Sequence, residues 1–178
     1  MKAICVYCAS GPVDQEFLDL AAETGRAIAA GGHTLVSGGG NISMMGALAQ
    51  ATRAAGGRTI GIIPEHLMNQ EVADLGSDEL IVTDTMRERK RLMDEMSDGF
   101  IALPGGIGTF EELFETWTGA YLHVHDKPIV LLNYDGFYDP LIDWLEVLRS
   151  KGFVADRALS KLKVCVTVGD AMTYLTNG

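Results

Sequence analysis

No stretch of this sequence approaches the roughly 18 consecutive apolar residues that a membrane-spanning helix needs. Nor does it open on a secretory leader: Met1-Lys2-Ala3-Ile4 runs straight into an apolar segment, so a cytoplasmic location and no membrane partner are expected. Cations are scarce. Fourteen Lys and Arg stand against 24 Asp and Glu, a net charge of −10. Neutralising a polyanion takes clustered Lys and Arg, which excludes nucleic acid as a main partner but leaves room for a small phosphorylated ligand. Cysteine is scarce too. Cys5 and Cys8 make a C-x-x-C, but they sit in the apolar run Ala3-Ile4-Cys5-Val6-Tyr7-Cys8, where a thiol behaves as a small hydrophobe. No second C-x-x-C completes a metal set, and His33, His66, His123 and His125 lack metal spacing, so no metal is expected. Three motifs are missing as well. Only Ser10-Gly11 follows the first strand where a dinucleotide fingerprint would lie; there is no Gly-Lys-Ser/Thr of a Walker loop and no G-x-S-x-G elbow. NAD chemistry, ATP hydrolysis and serine-hydrolase chemistry are thereby disfavoured.

Glycine is abundant, at 21 residues, and clusters at 38–40 and 105–108. Around these clusters strands and helices alternate. Strands are expected at residues 2–8, 33–36, 58–63, 79–83, 99–103, 127–132 and 163–166. Helices are expected at 15–30 (with Asp14 as N-cap), 44–55, from 84 or 85 to 97, 109–122, 139–151 and 170–175. Residues 64–78 read as irregular. The strands are continuous Val/Ile/Leu runs without polar alternation, the mark of a parallel sheet covered on both faces. The expectation is one α/β domain over residues 1–178, a doubly wound Rossmann-like parallel sheet with helices on both faces.

In such sheets ligands bind beyond the carboxyl ends of the strands. Both glycine clusters fall there. Ser37-Gly38-Gly39-Gly40 follows the second strand, and Pro104-Gly105-Gly106-Ile107-Gly108-Thr109 follows the strand at 99–103. Each precedes a helix, whose free N–H groups and dipole favour an anion. Gly38, Gly39, Gly40, Gly105, Gly106, Ile107, Gly108 and Thr109 are therefore candidate phosphate contacts.

Helical phase adds cations. At ~100° per residue, Met86, Arg89, Lys90, Met93, Met96 and Ser97 share one side of their helix, and Arg87, Glu88, Arg91, Asp94 and Glu95 the other. Arg89 and Lys90 thus share a stripe with three methionines and need a carboxylate or an anionic ligand as partner. On the helix expected from 109, Phe110, Leu113, Phe114, Trp117 and Tyr121 form a packing stripe. Glu111, Glu115 and Thr118 lie along one flank, and Glu112 lies on the other side. Glu111 and Glu112 are expected in the first turn, close to the phosphate loop, where a carboxylate either favours the dipole or serves as acid, base or cation stabiliser.

These residues carry a family resemblance. Pro104-Gly105-Gly106-Ile107-Gly108-Thr109-Phe110-Glu111-Glu112 matches the signature P-G-G-x-G-T-x-x-E of the LOG ("lonely guy") family. Met86-Arg87-Glu88-Arg89-Lys90 resembles its second motif, and Ser37-Gly38-Gly39-Gly40 with Met45-Gly46 its first glycine loop. The resemblance runs from residue 3 to about 154. It implies a Rossmann-like homodimer, long mislabelled a lysine decarboxylase, that cleaves the N-glycosidic bond of N6-modified adenosine 5'-monophosphates to free base and ribose 5-phosphate. It implies no cofactor and no metal. It also implies that Gly105, Gly106, Ile107, Gly108 and Thr109 hold the phosphate, that Arg89 and Glu112 are the catalytic pair, and that Glu71, Lys90, Glu111 and Thr118 contact the nucleotide. The spacing alone leaves open which of Glu111 and Glu112 does chemistry. The family loop often reads G-G-G-x-x-G-L-M-G, and here Ser43 and Met44 stand at the positions of the glycine and leucine that follow x-x, a departure on the base side of the pocket. Two other readings fit the same pattern. One is a general AMP or purine nucleotide phosphoribohydrolase. The other is a non-catalytic nucleotide or molybdenum-cofactor carrier, which gives the carboxylate pair no purpose.

Overall fold

A computed structural model describes residues 1–177. The first strand, β1 (Ala3–Tyr7), lies in the middle of the sheet. The chain then builds outward on one side through α1 (Gln15–Ala30), β2 (Thr34–Ser37), α2 (Ser43–Ala54), β3 (Arg58–Pro64) and β4 (Glu79–Thr83). After α3 (Met86–Glu95) it returns to the other side of β1. There it lays down β5 (Gly99–Ala102), α4 (Ile107–Tyr121), β6 (Ile129–Leu132), α5 (Asp139–Ser150), α6 (Asp156–Leu159), β7 (Leu162–Cys165) and α7 (Val168–Thr176). The order is β4-β3-β2-β1-β5-β6-β7, and every pairing is parallel. The direction of winding therefore reverses between β1 and β5, which opens a crevice at their carboxyl ends.

Alternate residues of each strand feed opposite faces. Ile4 and Val6 join Leu20, Ile28, Met44 and Leu48 under α1, α2 and α7. Cys5 and Tyr7 join Ile62, Met93, Leu113 and Trp117 under α3, α4 and α5. Each fully buried aliphatic side chain is worth about 1.5–3 kcal/mol, so both layers are held mainly by burial. Cys5 is wholly buried, and burial pushes its thiol well up, which is the inert behaviour its apolar setting foretells. No helix among the described residues is long and apolar enough to cross a membrane.

Three expectations shift. Asp14 stands at the N-cap of α1 but makes no side-chain cap bond. Thr85 caps α3 instead of leaving Asp84 as an alternative: its Oγ1 accepts from Glu88 N at 3.1 Å, while Glu88 Oε2 accepts from Asp84 N at 3.1 Å. Most consequential, α4 begins at Ile107 with Gly106 as its N-cap. Glu111 and Glu112 thus lie in its second turn, beyond the dipole's end, and are not first-turn capping groups. The earlier start follows because a first turn needs no internal hydrogen bonds, so glycine there costs little.

Candidate active site

A cavity of about 460 Å³ fills the crevice where the winding reverses. One wall is the start of α4. The first hydrogen bond of that helix runs from Phe110 N to Gly106 O, at 3.0 Å, so the N–H groups of Ile107, Gly108 and Thr109 have no acceptor within the helix. With the positive end of the dipole they form an anion seat. The glycines are not interchangeable. A Cβ on Gly105 would lie 2.1 Å from Thr109 Oγ1, because the buried Thr109 folds back over it. A Cβ on Gly106 or Gly108 would meet nothing within 4 Å, because both face the open cavity.

Opposite stands Arg89 on α3, only 5% exposed. Its Nε donates to Ile62 O at 3.2 Å and its Nη2 to Gly38 O at 3.1 Å. Nη1 reaches a weak acceptor, Met86 Sδ, at 3.7 Å. Carbonyls satisfy the donors but leave the charge whole. The nearest carboxylate oxygen is Glu71 Oε2, 3.6 Å from Nη2. That oxygen is buried and is the one buried side-chain N or O among the described residues without a hydrogen-bond partner.

Glu71 reaches the cavity on the segment between β3 and β4. That segment has little regular structure but is tied down from outside. Asn41 N donates to the carbonyls of Glu71 and Val72, and Asp74 N donates to Gly39 O at 2.8 Å. Asp74, 2% exposed, holds Arg53 of α2 through two hydrogen bonds, at 2.6 and 3.2 Å.

Glu112, on α4, completes the cluster. Burial pushes its carboxyl up to about 7; Arg89 opposes the rise, and the charges of Glu111 and Glu71 add to it. A group that titrates near neutrality in a cleft is suited to proton transfer. Cys8 also lines the cavity, but burial, together with Glu112 and Glu71, raises its thiol well above the ordinary range, which disfavours a nucleophilic thiolate.

The cavity thus gathers Glu71, Arg89, Gly105, Gly106, Ile107, Gly108, Thr109, Glu111 and Glu112 on its walls. Lys90 and Thr118 border a neighbouring groove between α3 and α4, of about 400 Å³, which shares Glu112 with the cavity. Lys90 Nζ is engaged by Glu111 and Glu115; burial works against its charge, yet the two carboxylates raise its pKa. Gly38, Gly39 and Gly40 are buried behind the cavity and do not line it. Local sequence reading missed residues 8–13, Phe17, the Met44-Met45 turn of α2, Leu67, Met86 and Phe137, which form the remaining wall. Strand order would have found the first of these, since the loop after β1 flanks the reversal point. Ser43, at φ 50°, donates through Oγ to Gly11 O and fastens that loop to α2.

No cluster of three or more His, Cys, Asp or Glu side chains suited to a metal occurs among the described residues. The arrangement can seat a phosphate at α4, exchange a proton at Glu112, and face a developing positive charge with carboxylates.

The family described as "Possible lysine decarboxylase" matches residues 45–175. A cytokinin riboside 5'-monophosphate phosphoribohydrolase from Mycobacterium tuberculosis is 53% identical over 169 residues, covering 95% of this chain and 90% of that protein. The rice protein named cytokinin riboside 5'-monophosphate phosphoribohydrolase LOG is 44% identical over 88% of this chain and 65% of its own length. Among solved structures, the protein TM1055 superposes with a TM-score of 0.77 at 27% identity, with full coverage of both chains. A molybdenum cofactor binding protein from Rippkaea orientalis superposes at 0.76 with 25% identity, covering 99% of this chain and 96% of its own.

Proposed function

The chain belongs to the LOG family of cytokinin riboside 5'-monophosphate phosphoribohydrolases, for which "possible lysine decarboxylase" is the historical label, and from that premise we propose how its cavity acts. The reaction is hydrolysis of the N-glycosidic bond of an N6-modified adenosine 5'-monophosphate to free base and ribose 5-phosphate. The observation that carries the reading is the convergence of the α4 N-terminus, Arg89, Glu71 and Glu112 on one cavity.

The 5'-phosphate sits on the N–H groups of Ile107, Gly108 and Thr109, with Gly106 and Gly108 leaving room for its oxygens. The ribose then lies toward Arg89, Glu71 and Glu112. As the C1'–N bond lengthens, positive charge grows on the ribose, and the carboxylate of Glu71 stabilises it. Its unpartnered Oε2 accepts a ribose hydroxyl. Glu112, half protonated near neutrality, gives its proton to a ring nitrogen of the departing base. Water adds to C1' and its proton returns to Glu112, so the step balances without a cofactor. Arg89 adds fixed positive charge near the phosphate and the base, and its Nη2 lies 3.6 Å from Glu71 Oε2. Lys90 steadies Glu111 from behind, and Thr118 acts from the adjoining groove.

The carrier reading has support in the fold it shares with the molybdenum cofactor binding protein, but it leaves Glu71 and Glu112 without work. We also propose that the protein works in the cytoplasm as a homodimer. Incubation of purified protein with N6-isopentenyladenosine 5'-monophosphate, and separately with AMP, tests the reading. Free base and ribose 5-phosphate should appear in equal amounts, faster from the N6-modified nucleotide. Tight binding without turnover would favour the carrier. Equal rates would make the enzyme a general purine nucleotide hydrolase. Sedimentation analysis tests the dimer.

A further inference from the structure

Residues 38–40 occupy a position at the sheet's carboxyl edge where a phosphate loop is expected, yet their polar groups are turned inward. Gly39 N donates to Ser37 Oγ at 3.4 Å, and Asn41 N is taken by the carbonyls of Glu71 and Val72. The acceptors are occupied as well: Gly38 O receives Arg89 Nη2, and Gly39 O receives Asp74 N. We infer that this loop is an alignment device for the Arg89–Glu71 pair, with Gly38 as the positioning residue of Arg89. The inference rests on the reading of Arg89 as part of the reacting site.

A Cβ on Gly38 would lie 1.9 Å from Arg89 Nη2 and 2.9 Å from its Cζ. Contacts under about 3 Å do not occur, so any side chain at position 38 expels the guanidinium from its seat. That seat has two anchors, Gly38 O beyond β2 and Ile62 O on β3. Two carbonyls, one just past the end of β2 and one on the neighbouring β3, fix the plane of a rigid, planar donor group, which a single anchor would leave free to turn. The same loop sets the other partner. Gly40 abuts Glu71, whose Cβ and carbonyl oxygen would each lie 3.2 Å from a Cβ added there. The backbone bonds of Gly39 and Asn41 clamp the segment on which Glu71 rides. One loop thereby holds Nη2 and Oε2 at 3.6 Å, close enough for attraction.

The test is a double-mutant cycle with Gly38→Ala and Arg89→Ala, read as kcat and KM on N6-isopentenyladenosine 5'-monophosphate, with melting temperatures for all four proteins. Gly38→Ala should lower kcat by about 100-fold or more, as expected for loss of one preorganised charge, with KM changed less than about threefold. In the Arg89→Ala background it should change kcat by less than about twofold, because groups acting as a unit are not additive. Gly38→Ala/Arg89→Ala should also melt above Gly38→Ala, since the collision is with the guanidinium; this holds even if Gly38→Ala alone fails to fold. Additive losses, a rise in KM with kcat intact, or no recovery of melting temperature in the double variant would each overturn the inference. Full activity in Arg89→Ala alone would instead overturn the reading of the site on which it rests.

Discussion

Arg89 Nη2 stands 3.6 Å from Glu71 Oε2, beyond hydrogen-bond reach, and that buried oxygen has no hydrogen-bond partner among the described residues. In the proposed mechanism a ligand donor reaches this oxygen. Hydrogen bonds to charged groups are worth about 1.5–3 kcal/mol, so Glu71→Ala should lower kcat/KM on the nucleotide by about 10- to 150-fold. Its melting temperature should also fall, since the change breaks no hydrogen bond but takes from the buried Arg89 the carboxylate 3.6 Å away. Steady-state kinetics and a melting curve on the same sample check both.

Glu112 should impose a pH signature. An ordinary glutamate titrates at 4.5, and burial carries Glu112 to about 7. Folding therefore favours its protonated form. This contribution to stability is whole below pH 4.5 and is lost as the pH rises through 7, and a shift of that size is worth about 3 kcal/mol. Glu112→Gln should remove that slope, so the difference in melting temperature between variant and parent should grow in the variant's favour from pH 5 to pH 8. Parallel curves would show that Glu112 titrates normally. As the acid for the leaving base, Glu112 should also make kcat/KM fall above pH 7; a rise there would assign it the role of base.

The three glycines of the phosphate loop separate stability from binding. Gly106→Ala and Gly108→Ala place a methyl group in open cavity, where it meets no protein atom within 4 Å. Each should leave the melting temperature unchanged within about 2 °C and raise KM by about tenfold or more, because the methyl group takes the space of a phosphate oxygen. Gly105→Ala drives its Cβ to 2.1 Å from Thr109 Oγ1. It should cost about 1–3 kcal/mol of stability in addition to activity.

Much of this was legible in the residues. The apolar runs foretold a parallel sheet, and helical phase placed Arg89 and Lys90 on the buried side of α3. What phase could not give is that neighbours one position apart diverge, Arg89 to the carbonyls of Gly38 and Ile62, Lys90 to Glu111 and Glu115 on α4. Glu71 was reached only through the family resemblance, because its segment is ordered by distant partners, the 39–41 backbone and Arg53, and not by any local period. The cavity wall at residues 8–13 depends on β1 lying beside β5, a fact of topology that no local motif carries. The start of α4 was misplaced by two residues because Ile107 and Gly108 carry no capping signal.

The clamp on that segment should matter twice. Arg53→Ala leaves Asp74 with Ser77 Oγ at 3.1 Å and Gly76 N at 3.3 Å as its remaining side-chain partners. Removing one member of a buried pair costs about 3 kcal/mol, which lowers the melting temperature by about 6–12 °C in a chain of this size. KM should rise as well, since Glu71 loses its support. Arg58→Ala, which breaks the exposed pair with Glu79, is the control and should cost less than about 1 kcal/mol.

The most direct measurement is a crystal structure of the Glu112→Gln protein with N6-isopentenyladenosine 5'-monophosphate bound. The account predicts the phosphorus atom over the N–H groups of Ile107, Gly108 and Thr109, with C1' of the ribose between Glu71, Arg89 and the residue 112 amide. A phosphate lodged on Gly38, Gly39 and Gly40, or a ribose turned away from Arg89, would contradict it.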